Sequence, residues 1–271
     1  MNRELAKTVA CMSAIVTCMA LGARADTVSS ATALIKSGNF DAAYQRLKAD
    51  NSGSGRVSGL LCYLYARSLV VADPQDKKTA CRATVAAHDR FGLFVYGAAQ
   101  ASNNPPPGID ANQNVGVGEV AEAVQLDYSP AYDWMCHHFY DLQRYSDAAP
   151  FCKVAAINSQ PGSMYYLGLM LYNGSGAVQD FEKAKAFMLA SARMNYAPAF
   201  KFLGDLSQGG KAGPPKDLVQ ASAWYALASS AAPDWQDPVA LRDGIGLSPA
   251  DVAKAQKLAG SWQTKPAPGL F

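Results

Sequence analysis

"YYLGLMLYNGSGAVQDFEKAKAFMLASA", residues 165–192, and "FLGDLSQGGKAGPPKDLVQASAWYALASS", residues 202–230, carry nearly the same message, with Leu167-Gly168 returning as Leu203-Gly204 36 residues later. Each copy runs as an apolar helical stretch, breaks at glycines, and resumes as a second helical stretch. The spacing extends backwards along the chain. Ala148, Ala184 and Ala221 stand at steps of 36 and 37, and three residues after each comes an aromatic: Phe151, Phe187 and Trp224. Residues i and i+3 share one helical face. The small residue lets a neighbouring helix approach, and the aromatic fills the gap to the next pair. Two helices of this length cannot bury their apolar faces alone, so successive hairpins must stack.

Helical runs recur in pairs outside this region too. "ATALIKSGNFDAAYQRLKAD" places Gly38-Asn39 between two of them. "VSGLLCYLYARSLVVA" is apolar on most faces and is expected to stop at Asp73-Pro74, with "DKKTACRATVAAHDR" returning. "FGLFVYGAAQAS" leads into "NNPPPGIDANQNV", a loop rich in Pro, Gly and Asn, and "GEVAEAVQLD" resumes the helix. Ser129 and Ser248 each precede a proline and read as N-caps. No strand alternation of useful length occurs, and Ala is abundant while Val/Ile runs are absent, which favours helix over sheet.

The 271 residues are 49% hydrophobic and 17% charged, an ordinary balance for a buried core. The start reads as an export leader: Arg3 and Lys7, the apolar stretch "TVACMSAIVTCMALG" at 8–22, then Ala23-Arg24-Ala25 as a small-x-small site with cleavage before Asp26. The stretch is short for a membrane span of ~20 residues. "IVTC" at Cys18 is a poor lipid-attachment box because Thr precedes the Cys. Removing the leader takes three bases and one acid from the 24 and 22 present, leaving 21 of each. A near-neutral chain without Lys/Arg runs offers nothing to nucleic acid.

The remaining cysteines, Cys62, Cys81, Cys136 and Cys152, allow three pairings. Other chemistry is thin. Cys136-His137-His138 suggests a metal, but adjacent helical residues point ~100° apart and only His88 stands elsewhere. "NGSGAVQD" at 173–180 sets glycines before a helix but lacks the Gly-Lys-Ser/Thr ending of a phosphate loop. Neither Ser-x-x-Lys nor Gly-x-Ser-x-Gly occurs. Glu119 and Glu122 share a helix side and read as a solvated face. No cofactor, catalytic residue or metal ligand is therefore expected.

The two phrases resemble Sel-one-like repeats, a relative of the tetratricopeptide α/α solenoid. That pattern maps onto Leu167, Gly168, Tyr172, Gly174, Gly176, Asp180, Lys183, Ala184, Phe187 and Ala192, then onto Leu203, Gly204, Gly209, Asp217, Ala221 and Trp224. "GGKAGPP" replaces the Gly-x-Gly turn in the second copy. The likeness is specific over 161–232, degenerate over 91–158, and only tetratricopeptide-like over 27–56. It implies an all-α, right-handed α/α solenoid of about six helix pairs. The expected layout is a leader at 1–25, a solenoid at 26–232 with its clearest repeats at 161–195 and 197–232, a capping helix within 233–263, and a flexible tail at 264–271.

Laid on the family pattern, Cys136 falls at the Gly168 position and Cys152 at the Met188 position, with Cys62 and Cys81 in equivalent places. The resemblance thus implies Cys62–Cys81 and Cys136–Cys152 bridges within hairpins, and cysteine-bridged relatives are secreted bacterial proteins. It also implies that the first helices of the pairs line a concave side. There Trp134, His137 and Asp141, then Tyr166, Leu169 and Asn173, then Phe202 and Asp205 recur at spacings of 3 and 4, each set on one helix side. The function implied is a non-catalytic, periplasmic or secreted scaffold whose groove takes a protein or peptide partner of the envelope, without nucleic acid or a membrane anchor after processing. The alternative is an enzyme or binder acting on cell-wall peptide or a β-lactam, to which some cysteine-rich relatives have been linked.

Overall fold

The computed structural model describes residues 27–209 and 216–264. The expected leader, its cleavage point, most of "GGKAGPP" and the tail from 265 onward lie outside the described residues. Within them every regular element is a helix, and no strand is present. The order is α1 (27–36), α2 (Phe40–Lys48), α3 (Gly55–Ala66), α4 (Pro74–Ala86), α5 (Arg90–Gln100), α6 (Gln113–Gln125), α7 (Ser129–Asp141), α8 (Tyr145–Ile157), α9 (Pro161–Asn173), α10 (Phe181–Arg193), α11 (Ala197–Ser207), α12 (Leu218–Ala231), α13 (Asp237–Gly244) and α14 (Pro249–Ser261). The chain divides at residue 131 into two compact units. In the first, α3 packs on α2, α4 and α5, and α5 also packs on α6. In the second, α9 lies against α8 and α10, α11 against α10 and α12, and α12 carries α13 and α14.

Stacking follows the alanine–aromatic register. One core cluster joins Cys136, Ala148, Cys152, Met164, Leu167 and Met170, drawn from α7, α8 and α9, with Phe151 and Phe187 packed on it. A second joins Met188, Ala192, Phe200, Leu203, Leu206 and Ala228, drawn from α10, α11 and α12, with Trp224 packed on it. Each cluster takes side chains from two successive hairpins, so neither hairpin completes its interior alone.

Inside each hairpin, the crossing of the two helices decides what can stand there. At α9/α10, Gly168 leaves space that the fully buried Met188 fills, and a Cβ on Gly168 would lie 2.8 Å from Met188 Cε. At α11/α12, Gly204 makes the same room for the ring of Tyr225, also fully buried. At α5/α6, Gly97 meets Gly116 backbone to backbone. At α3/α4 and α7/α8 the crossing is bridged: Cys62–Cys81 and Cys136–Cys152 have Cα–Cα distances of 4.8 and 4.7 Å. The sulfur bridges therefore occupy the slot that a glycine and a large partner fill at α9/α10 and α11/α12. Hydroxyls add ties between helix ends: Thr84 Oγ1 donates to the Gly55 carbonyl at 3.2 Å and Ser191 Oγ to the Pro161 carbonyl at 2.7 Å.

Several helix ends differ from the sequence expectation. Helix α3 stops at Ala66, where Ser68 turns left-handed (φ 53°) and the Leu69 N–H reaches back to the Leu64 carbonyl. Asp73-Pro74 does not end that helix. It starts α4, with the Asp73 carboxylate accepting from the Gln75 N–H and Pro74 at the first helical position, where it lacks only an N–H that would be unpaired anyway. The loop before α6 ends three residues earlier than expected, because Asn112 caps the helix by accepting from the Val115 N–H. Ser129 is the first residue of α7 and its buried Oγ has no partner among the described residues, whereas Ser248 does cap α14.

Candidate functional site

The first-helix faces of the second unit carry the residues singled out from sequence. Trp134, Tyr166 and Phe202 occupy equivalent positions on α7, α9 and α11, and so do His137, Leu169 and Asp205. All six are partly exposed, while Asp141 and Asn173 stand exposed at the last positions of α7 and α9.

The structure joins some of these and separates others. His137 and Tyr166 meet edge to face with ring centroids 4.5 Å apart. Phe202 meets Tyr172 at 5.1 Å, and with Leu169 it packs on the α10–α12 core cluster. Trp134 stacks instead on His138, one turn along its own helix, at 4.7 Å. Burial lowers the His138 pKa, against the pull of Asp141. Asp205 is engaged in structure: Tyr225 Oη donates to it at 2.8 Å and Lys201 Nζ at 3.0 Å.

A tyrosine belt surrounds the His137–Tyr166 contact. Tyr140 lies 4.4 Å from Tyr166 and 5.2 Å from Tyr145, and Tyr165 bridges Tyr166 and Tyr196 at 5.5 and 5.6 Å. Burial is the main cause that pushes the Tyr140 and Tyr165 hydroxyls up to about 12, and it raises Tyr166 and Tyr196 as well. These phenols keep their protons at neutral pH and remain hydrogen-bond donors.

Asp133 anchors the belt from below. Its Oδ1 accepts from the Ser163 N–H at 3.1 Å and from Ser163 Oγ at 2.7 Å, tying α7 to the start of α9. Its burial would raise the carboxyl, but the neighbouring His137 and Ser163 outweigh that and hold it below the usual range. His137 Nε2 stands 3.4 Å from the same oxygen without hydrogen-bond geometry and is pressed against Gly162, where any Cβ would collide with it. Ser163 is fully buried, so this serine, histidine and aspartate hold two helices in register and expose no nucleophile. Nothing in the sequence signals the Asp133–Ser163 bond, whose partners are 30 residues apart. Tyr140, three residues after His137, was visible on the same helical face.

All four cysteines of the described residues are in bridges. Among those residues no three His, Cys, Asp or Glu side chains converge on a metal site, and no helix is long and apolar enough to cross a membrane. Glu119 departs from the solvated-face expectation: it is half-buried, with Oε2 buried and unpartnered among the described residues.

No protein-family model matches the sequence, and no curated protein matches it. Solved structures do match in fold. A Sel1 repeat protein from Oxalobacter formigenes superposes with a TM-score of 0.70 at 18% identity, over 90% of this chain and 99% of its own. A protective antigen of uropathogenic Escherichia coli strains, described as displaying an SLR fold, superposes with a TM-score of 0.72 at 18% identity, over 82% of this chain. This chain covers 48% of that antigen, about half its length. The all-helical hairpins and these likenesses show the Sel1-like α/α solenoid fold.

Proposed function

We propose that the protein is an exported, disulfide-braced scaffold that binds a protein or peptide partner of the bacterial envelope through the α7, α9 and α11 face of its second unit. The observation that carries this is the belt of partly exposed rings around His137–Tyr166, continued by Phe202 and Tyr172. Tyr and Trp dominate the energetics of interfaces because a large rigid ring buries much area for little ordering entropy. The belt is pre-positioned by the Asp133–Ser163 tie and by the bridge beneath α7, which reduces the ordering cost of binding. Export is supported by the leader-like start and by two bridges of the kind that persist in oxidising compartments.

A pull-down after crosslinking in the native envelope tests this. The wild-type chain retains a specific partner, and Tyr166→Ala and Phe202→Ser each lose it while remaining folded. Retention of the same partner by both variants contradicts the assignment of the face. Turnover of nitrocefin or muropeptides stays at the no-protein baseline. Activity that survives repurification and is abolished by a point substitution reverses the non-catalytic assignment.

A further inference from the structure

Charge is segregated between the two helices of the hairpins in the second unit. The first helices α7, α9 and α11 carry three acids, Asp133, Asp141 and Asp205, against one base, Lys201, which Asp205 holds at 3.0 Å. The second helices reverse the sign: α8 and α10 carry Lys153, Lys183, Lys185 and Arg193 against Asp147 and Glu182, and α12 is uncharged. Two of the first-helix acids are already engaged, Asp133 by Ser163 and Asp205 by Tyr225 and Lys201. The Asp141 carboxylate is exposed and has neither a hydrogen bond nor an ion pair among the described residues. Arg144, three residues on, bonds to Asp147 instead at 2.7 Å. Asp141 stands one turn beyond His137, on the side of α7 that meets Tyr166.

The tyrosine belt adds oxygens in the same condition. The hydroxyls of Tyr140, Tyr165, Tyr166 and Tyr196 make no hydrogen bond among the described residues, and none of these oxygens is sealed from solvent. Behind burial, the main cause, the charge of Asp141 contributes to the raised pKa of Tyr140, Tyr166 and Tyr196, so the carboxylate is within electrostatic reach of all three. Rings with a negative face, free phenol oxygens and an unpaired carboxylate all favour a cation rich in N–H groups. A guanidinium meets the three demands together: it is planar, stacks on aromatic rings and offers five donors in a fixed fork. The chain makes the same pairing internally, with Arg56 4.6 Å from the Phe91 ring centroid and Arg144 4.7 Å from that of Phe139. Resting on the first-helix face as the partner-binding surface, we infer that the partner docks a basic segment there, with an arginine side chain against Tyr140 and Tyr166 and its guanidinium on Asp141. An acidic segment meets an uncompensated carboxylate on this face and is rejected.

Amide-resolved NMR titration of the full chain with the capped peptide acetyl-Gly-Arg-Arg-Gly-amide tests this, beside its citrulline counterpart, of similar shape without the charge, and its glutamate counterpart. The arginine peptide shifts amides clustered at 137–141 and 165–166, and added salt weakens it. The citrulline and glutamate peptides leave those amides unmoved. Asp141→Asn, an exposed change, weakens the arginine peptide by about fivefold, the worth of an exposed ion pair. Glu182→Gln, an exposed acid on α10, leaves it unchanged. The inference is overturned if the arginine peptide leaves the belt amides unmoved, if the citrulline peptide binds as tightly, or if Asp141→Asn has no effect. The envelope pull-down separates this failure from failure of the face itself. A partner lost by Tyr166→Ala but kept by Asp141→Lys upholds the face and removes the basic segment, whereas a partner kept by Tyr166→Ala and Phe202→Ser removes the face and the inference with it.

Discussion

The glycine at each hairpin crossing should be tolerant or intolerant of a methyl group according to what faces it. In Gly204→Ala the added Cβ would lie 2.5, 2.7 and 2.9 Å from Cε1, Cδ1 and Cζ of Tyr225. Carbon pairs settle at about 3.5–4.0 Å, so the ring must retreat by roughly 1 Å. It has nowhere to go: Tyr225 is fully buried and its hydroxyl is fixed on Asp205 at 2.8 Å. Overpacking of this kind costs about 1–3 kcal/mol or more, and the gain in helix propensity from Gly to Ala offsets only ~1 kcal/mol of it. A net loss of about 2 kcal/mol follows for Gly204→Ala. In Gly168→Ala the nearest atom is Met188 Cε at 2.8 Å, the end of a flexible chain that can swing aside. There the propensity gain roughly cancels the crowding, and stability stays within ~1 kcal/mol of wild type. Urea unfolding followed by circular dichroism measures both. Replacing Tyr225 by Met in the Gly204→Ala background places Ala opposite Met, as in the Gly168→Ala variant of the α9/α10 crossing, so the double variant is more stable than the sum of the singles by over ~1 kcal/mol. Equal losses for the two alanines, or strict additivity in the double variant, would refute the view that the α9/α10 and α11/α12 crossings are matched small–large pairs.

Three other outcomes follow from the same structure. Replacing Cys136 and Cys152 together by Ala lowers stability by about 3 kcal/mol in the chain-entropy model, and Cys62 with Cys81 by a similar amount, since the separations of 16 and 19 residues are alike; reductant-dependent urea midpoints read both. Glu119 has a raised folded pKa, so its stabilising contribution is complete below the unfolded value near 4.3 and is lost as pH rises through about 7; after discounting for its partial exposure this amounts to about 1 kcal/mol. Glu119→Gln flattens that segment of the stability–pH curve, with Glu122, His88, Tyr96, Arg82 and Asp110 left in place. Gln143 and Ser159 hold left-handed conformations (φ 58° and 61°) in the turns after α7 and α8, so Gln143→Gly and Ser159→Gly each raise the urea midpoint by the equivalent of up to ~1 kcal/mol.

The hairpins were legible because their causes are periodic. The alanine–aromatic register at 148/151, 184/187 and 221/224 marks the buried face of each second helix, and all three alanines are buried. The cysteine pairing became legible once the chain was laid on the family pattern, since a bridge needs the same close crossing that a glycine serves. Helix ends were not. Seven turns, some within hairpins and some between them, use one geometry, with a left-handed residue two after the helix end and the next N–H bonded back five residues, as from Asn39 to Leu34, Arg144 to Phe139 and Gln160 to Ala155. Only Gly38 announces itself; Ser68, His88, Asp127, Gln143, Ser159 and Asn195 adopt the same conformation with ordinary side chains. Asp73-Pro74 misled because proline both ends and begins helices, and its capping partner is local to the following turn. At the candidate face, spacing placed Trp134, Tyr166 and Phe202 in one row. Which rings touch depends on packing between hairpins, so the Tyr140–Tyr166 contact and the diversion of Trp134 onto His138 and of Asp205 onto Tyr225 carry no signature in the order of residues.

Photocrosslinking from single positions in living cells probes the functional claim most directly. A photoreactive phenylalanine at position 166, inside the ring belt, is compared with one at position 178, where Val178 is 88% exposed in the turn before α10. The scaffold account predicts one discrete adduct from position 166 and none from position 178. No adduct from 166, or the same adducts from both, contradicts it.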